Sequence, residues 1–268
     1  MLWFSATDGV QLHYSDWGQG RPVVLLHGWP LNSASWDYHA VRLVERGYRV
    51  IRYDRRGFGR SEQPWTGYDY DTLAADLQAL LQHLDLDDAV LVGFSMAAGE
   101  VARYLARYGN VAVSAAVIVS GITPMLAQSA ANPQGIPEAG FAGFEQALID
   151  NLGPTLYDYA RSQFADPSLR EDYLAMVRQA SARAITATAR AWYATDFHAD
   201  LAAIDVPALI LHGSADQSAP AELTGRKAHA LIARSRYVEY PDVGHYLPYE
   251  AKERLTDDLL AFLDETTA

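Results

Sequence analysis

Ser95 stands in Gly93-Phe94-Ser95-Met96-Ala97-Ala98-Gly99, between the apolar run Ala89–Val92 and a helical pattern. A serine at so tight a strand-to-helix turn is lifted clear of the sheet, its hydroxyl at the positive end of the next helix; this is a nucleophile elbow. The plainer alternative is a serine that only caps the helix. A hydroxyl nucleophile needs a base. Of the eight histidines, His245 is the candidate, because it alone lies in a late turn after the last apolar run, in Asp242-Val243-Gly244-His245. His27 and His212 end apolar runs beside glycines and read as loop-shaping residues. His13, His39, His83, His198 and His229 fall in strand, helix or insert patterns.

The base needs an orienting carboxylate. Asp216 follows the run Pro207–Leu211 and lies between Ser95 and His245, so the chain order is Ser, Asp, His. Asp242 is the rival, but three residues before His245 it is placed to cap the same loop. The tetrahedral oxyanion needs donors. One is the Met96 amide, directly after the nucleophile. The other is expected from His27-Gly28-Trp29-Pro30, where Trp29 supplies an N–H and Pro30 has none.

These residues need strands to carry them. Eight short runs read as strands: Leu2–Thr7, Gln11–Asp16, Pro22–Leu26, Tyr48–Tyr53, Ala89–Val92, Ser114–Val119, Pro207–Leu211 and Arg236–Tyr240. Asp8-Gly9 reads as a hairpin turn between the first two. Helical spacing appears in Trp36–Glu45, Thr72–Leu84 (behind an expected Asp71 N-cap), Ala97–Tyr108, Ala221–Ile232 and Ala251–Leu263. Strand–helix alternation implies an α/β fold, a mostly parallel eight-stranded sheet with helices on both faces. From about Ile122 to Leu201 the alternation stops, and only helical patterns such as Phe144–Leu152 and Leu174–Ala189 remain. The expected organisation is a core of residues 1–121 and 202–268, with a helical cap, 122–201, inserted in it.

Composition narrows the chemistry. The 268 residues are 50% hydrophobic, ample for a core, so disorder is excluded. A net charge of −12 argues against nucleic-acid or anionic-membrane partners, which need a basic face. The absence of cysteine removes disulfides, thiolate metal sites and cysteine nucleophiles. No metal-binding spacing stands out, Gly18-Gln19-Gly20 precedes a strand rather than following one, and no cofactor is expected. Without a basic, apolar leader or a membrane span, the expectation is a soluble cytoplasmic protein; a homo-oligomer is compatible with the sequence. Arg52, Arg55, Arg56 and Arg60 around Asp54 read as loop-holding ion pairs rather than an anion site.

Taken together, the chain resembles the α/β-hydrolase superfamily, and within it the bacterial aryl esterases and cofactor-free haloperoxidases (perhydrolases). The segments that carry the resemblance are His27-Gly28-Trp29-Pro30, Asp54-Arg55-Arg56-Gly57-Phe58-Gly59-Arg60-Ser61, Gln63-Pro64-Trp65, Gly93-Phe94-Ser95-Met96, Gly99-Glu100-Val101-Ala102-Arg103-Tyr104 and Thr195-Asp196-Phe197. It covers most of the chain and is thinnest in the expected cap. It implies a serine carboxylesterase of small aryl or short-acyl esters, with Ser95, Asp216 and His245 as triad and Trp29 and Met96 as oxyanion amides. It also implies Trp29, Pro30, Phe94 and Met96 as substrate-binding residues, and a side reaction in which hydrogen peroxide replaces water and yields a peracid. Two departures stand out: Ala97-Ala98 where the family has glycine followed by glycine or threonine, and Gln217-Ser218-Ala219-Pro220 where it carries bulky aliphatics. Lactone or γ-lactam opening on the same triad, and a slow-turnover ligand receptor of the same fold, are the competing readings. Ser95 excludes the dehalogenase and epoxide hydrolase routes, which use an aspartate nucleophile.

Overall fold

The computed structural model describes residues 2–266; Met1, Thr267 and Ala268, at the ends of the expected core, lie outside the described residues. In chain order the elements are β1 (Leu2–Ser5), β2 (Gln11–Trp17), β3 (Pro22–Leu26), α1 (Asp37–Glu45), β4 (Arg49–Tyr53), α2 (Tyr70–His83), β5 (Ala89–Phe94), α3 (Ala97–Tyr108) and β6 (Val113–Val119). Five helices follow: α4 (Glu138–Asp150), α5 (Leu152–Gln163), α6 (Pro167–Val177), α7 (Ala182–Ala194) and α8 (His198–Ala202). The chain then returns to the sheet with β7 (Ala208–Gly213), α9 (Gly225–Leu231), β8 (Ser235–Tyr240), α10 (Leu247–Glu250) and α11 (Lys252–Glu265).

The eight strands form one sheet in the order β1-β2-β4-β3-β5-β6-β7-β8. β2 pairs antiparallel with β1 and β4, and every other pairing is parallel. The central strands are buried on both faces, which is why Val23–Leu26, Val90–Val92 and Leu209–Leu211 read as unbroken apolar runs. Helices cover both faces, with α2 packed on α3 and α1 on α11. Strand order reverses at β3, whose neighbours are β4 and β5. Crevices open at the carboxyl ends of strands at such a switch point, and both the Trp29 loop and Ser95 follow strands there.

Two expectations are corrected. Asp69, not Asp71, caps α2, its carboxylate accepting the Thr72 amide at 2.9 Å. Asp71 is drawn away to Arg103 and Arg107 across the surface. The pattern over Leu174–Ala189 is not one helix: α6 ends at Val177, and Ser181 caps α7 by accepting the Ala184 amide at 2.9 Å.

The arginines after β4 hold the loops beneath the site. Arg55 pairs with Glu100, both fully buried, and Arg56 pairs with Asp76 at 2.7 Å and Asp8 at 2.8 Å. Asp54 accepts the amides of Ser33 at 2.8 Å and Arg60 at 2.9 Å, closing the turn between them.

Candidate active site

Ser95 sits between β5 and α3 with φ of +56°, a left-handed conformation that costs a non-glycine residue ~1–3 kcal/mol. The turn is tight because Gly93 backs onto α3: a Cβ there would lie 2.7 Å from the Ala97 carbonyl oxygen. That close approach is met on the strand side, so Ala97 and Ala98 are accommodated, fully buried, at the start of α3.

His245 Nε2 lies 2.9 Å from Ser95 Oγ, and His245 Nδ1 lies 2.7 Å from Asp216 Oδ2. An ionised carboxylate only accepts, so Nδ1 carries the proton and Nε2 presents its lone pair to the serine hydroxyl. The His245 turn is clamped from α10, where the Glu250 carboxylate accepts the Gly244 amide at 3.0 Å and the Tyr246 amide at 2.9 Å. Asp216 is buried, which alone would favour its neutral form. His245 hydrogen-bonded to it, and His212 close beside it, outweigh that and hold the carboxyl well below its ordinary value. Asp242 is exposed on the loop's outer side and takes no part.

Trp29 and Met96 line the same cavity as Ser95, and their backbone amides donate to no group among the described residues. The Trp29 loop is held from below and above. His27 Nδ1–H donates to the Gly28 carbonyl at 2.9 Å, while His27 Nε2 accepts the Arg55 amide at 3.1 Å. Burial and the adjacent Arg55 charge push the His27 imidazole down to about 3, so it stays neutral in this role. From above, the Trp29 indole N–H donates to the Ile185 carbonyl of α7 at 3.0 Å.

A cavity of about 350 Å³ opens over Ser95 and His245. Trp29, Met96, Ile122 and Leu126 form its lower walls, and Phe144, Tyr159 and Trp192 from α4, α5 and α7 close over it. Phe94 and Pro30, expected to bind substrate, do not line it. Phe94 points below the nucleophile, its ring packed against Trp36, His245 and Tyr246, and Pro30 is buried behind the loop. Gln217 and Ser218, where the sequence departs from the resembled family, do reach the cavity. Among the insert's aromatics, Phe141 and Tyr193 stack on each other instead, and Tyr157 is exposed.

One member of the site was read only as loop-shaping. His212, at the end of β7, is fully buried with Nε2 2.7 Å from the Ala219 carbonyl and 3.2 Å from Asp216 Oδ2. Its spacing of four from Asp216 was the one signal in the sequence.

The alpha/beta hydrolase fold family model matches residues 21–252. A non-heme haloperoxidase from Rhodococcus erythropolis is 40% identical, over 98% of this chain and all of its own length. The chain belongs to the α/β-hydrolase family, on its haloperoxidase and esterase branch. A bifunctional esterase/perhydrolase from Acinetobacter calcoaceticus is 36% identical, covering 98% of this chain and 99% of its own. Among solved structures, a bromoperoxidase from Bacillus anthracis superposes with a TM-score of 0.95 at 37% identity, over 98% of this α/β hydrolase and 99% of its own chain. This is therefore a hydrolase, and no helix among its described residues is long and apolar enough to cross a membrane.

Proposed function

We propose that this α/β hydrolase is a serine carboxylesterase of small esters that works through an acyl-enzyme. The observation that carries the reading is the hydrogen-bonded line from Ser95 Oγ through His245 to Asp216 at the floor of a cavity, with two unspent amides beside it. Ser95 Oγ attacks the ester carbonyl carbon and its proton passes to His245 Nε2. The carbonyl oxygen, now an oxyanion, sits between the Trp29 and Met96 amides. Collapse breaks the bond to the alcohol, which leaves with the proton from His245. Water then gives a proton to His245 and attacks the acyl carbon, and the adduct collapses with that proton passing from His245 to Ser95 Oγ as the acid is released. Asp216 stays ionised and fixes the tautomer of His245 throughout.

Residues 122–201 act in this reading as a cap, with Phe144, Tyr159 and Trp192 limiting the substrate to a short acyl or single-ring group. The relatives named haloperoxidase and perhydrolase favour a second use of the same acyl-enzyme. Hydrogen peroxide attacks in place of water and releases a peracid, which oxidises halide in solution; neither step draws on a metal.

The test is Ser95→Ala. Turnover of p-nitrophenyl acetate should fall by ~10⁶, as for removal of other triad serines. A fluorophosphonate should label the wild type at Ser95 alone, and acetate with peroxide should oxidise bromide only where Ser95 is present. Substantial turnover in the variant, or labelling elsewhere, would overturn the reading.

A further inference from the structure

We propose that His212 is a positioning residue of the triad, fixing the Asp216 carboxylate and sharing its charge with His245; the inference rests on the serine-hydrolase reading above. Asp216 accepts three hydrogen bonds and has a second imidazole against it. The amides of Ser218 and Ala219 reach Oδ1 at 2.9 and 2.8 Å. Oδ2 is shared by two imidazoles, His245 Nδ1 at 2.7 Å and His212 Nε2 at 3.2 Å. The backbone pair pins one oxygen, so the second oxygen's direction decides how well Asp216 faces His245.

The tautomer of His212 follows from its partners. The Ala219 carbonyl, 2.7 Å from Nε2, can only accept, so Nε2 carries the proton and donates it to that carbonyl, with Asp216 Oδ2 3.2 Å from the same nitrogen. Nδ1 is then a bare lone pair, buried without a partner among the described residues. A buried unpaired nitrogen is unfavourable, and an apolar side chain there would avoid it. The surroundings are nonetheless shaped to the ring: a Cβ on Gly225 would lie 2.7 Å from His212 Nδ1. The site thus keeps an imidazole at a cost in stability, and beyond the Ala219 carbonyl and the Thr224 hydroxyl its Nε2 faces the triad carboxylate.

The consequence is electrostatic as well as steric. The Nε2–H dipole beside Oδ2 offsets part of the carboxylate's negative charge, so His212 lessens the pull of Asp216 on the protonated form of His245. The other charged or titratable groups here stay in place when His212 is changed. They are Glu239, opposite His212 on β8 and held by Arg226, Glu250 behind the His245 turn, Tyr246 against the His245 ring and Tyr159 across Ser218.

The experiment compares His212→Leu with His212→Gln, whose side-chain amide reaches the position of Nε2. For the leucine variant, kcat for p-nitrophenyl acetate should fall about tenfold with KM little changed, the pattern of a misoriented catalytic group. The acid limb of kcat/KM, where the base is protonated, should move to higher pH by about half a unit, because His245 then has Oδ2 to itself. The glutamine variant should keep the wild-type limb and most of the rate. His212→Asn, too short to reach Asp216, replaces the leucine variant if that one does not fold. An unmoved limb in a folded leucine or asparagine variant, or a glutamine variant that behaves like leucine, overturns the inference. Loss of the serine-hydrolase reading looks different, since Ser95→Ala would then retain turnover whatever His212 does.

Discussion

Gly28 is where a single methyl group should separate binding from chemistry. A Cβ at this position would lie 2.6 Å from Phe94 Cδ1, 2.8 Å from Cε1 and 3.3 Å from Ser95 Cβ. Phe94 has nowhere to go: it is 1% exposed, between Trp36 below and the His245 and Tyr246 rings beside it. Ordinary van der Waals separation therefore requires the Gly28–Trp29 loop to lift by roughly 0.8 Å. The Trp29 amide moves with it, out of the ~2.7–3.1 Å range over which an oxyanion donor works. Losing one such donor costs ~10²–10³ in kcat, about 3–4 kcal/mol. Gly28→Ala should thus lower kcat for p-nitrophenyl acetate by that factor and leave KM close to wild type. Circular dichroism and thermal melting establish that the fold is kept. Adding Phe94→Leu makes room for the methyl and should return about tenfold of the lost rate. A folded Gly28→Ala enzyme with kcat within about threefold of wild type would refute the placement of Trp29 as oxyanion donor.

Three further outcomes are expected. Asp216→Asn should lower kcat by ~10⁴ through the wrong His245 tautomer, whereas Asp242→Asn should stay within about twofold, since asparagine tolerates the φ of +59° found there; steady-state kinetics of both variants decides between the carboxylates. Burial pushes His39, enclosed by Thr256 and the Pro248 carbonyl, down to about 4. The unfolded chain therefore binds the extra proton between pH 6.5 and 4, and stability falls as pH falls through that window. By pH 5 the loss is about 2 kcal/mol, a loss that urea titrations should find missing in His39→Gln. Glu100→Gln strands the buried Arg55 charge and should cost about 3–5 kcal/mol, read as a drop in melting temperature of roughly 10 °C; a Glu100→Leu, Arg55→Met pair should recover most of it.

The sheet was legible because its central strands are continuous apolar runs and its site residues stand just beyond them. Ser95 after Ala89–Val92, Trp29 after Pro22–Leu26 and Asp216 after Pro207–Leu211 are each fixed by local chain direction, and the fold brings them together at one crevice. What depends on a distant partner was not legible. Asp71 reads as the N-cap of α2 from the sequence alone, and only the fold shows that Arg103 draws it away while Asp69 takes the Thr72 amide. Phe144, Tyr159 and Trp192 differ from Phe141, Tyr193 and Tyr157 only in which way their helices are turned against the core, and helical spacing alone leaves that open. Phe94 is expected at the substrate only from the family resemblance. Strand alternation instead sends its side chain to the opposite side, toward Trp36. The contact of His212 with Asp216 exists only once the loop after β7 folds back over its own strand end.

The hydrogen bond between Ser95 and His245 joins residues 150 positions apart, with β6, the whole run of helices α4–α8, β7 and β8 falling between them. No early fragment of the chain holds both partners, and no collapsed intermediate lacking the β5-to-β8 pairings can bring them within reach. Hydrolysis should therefore be the last property to return when the unfolded protein is diluted from urea, after helical signal and tryptophan burial have recovered. The lag between those signals would time the closing of the sheet's far edge, making the enzyme a clock for its own assembly.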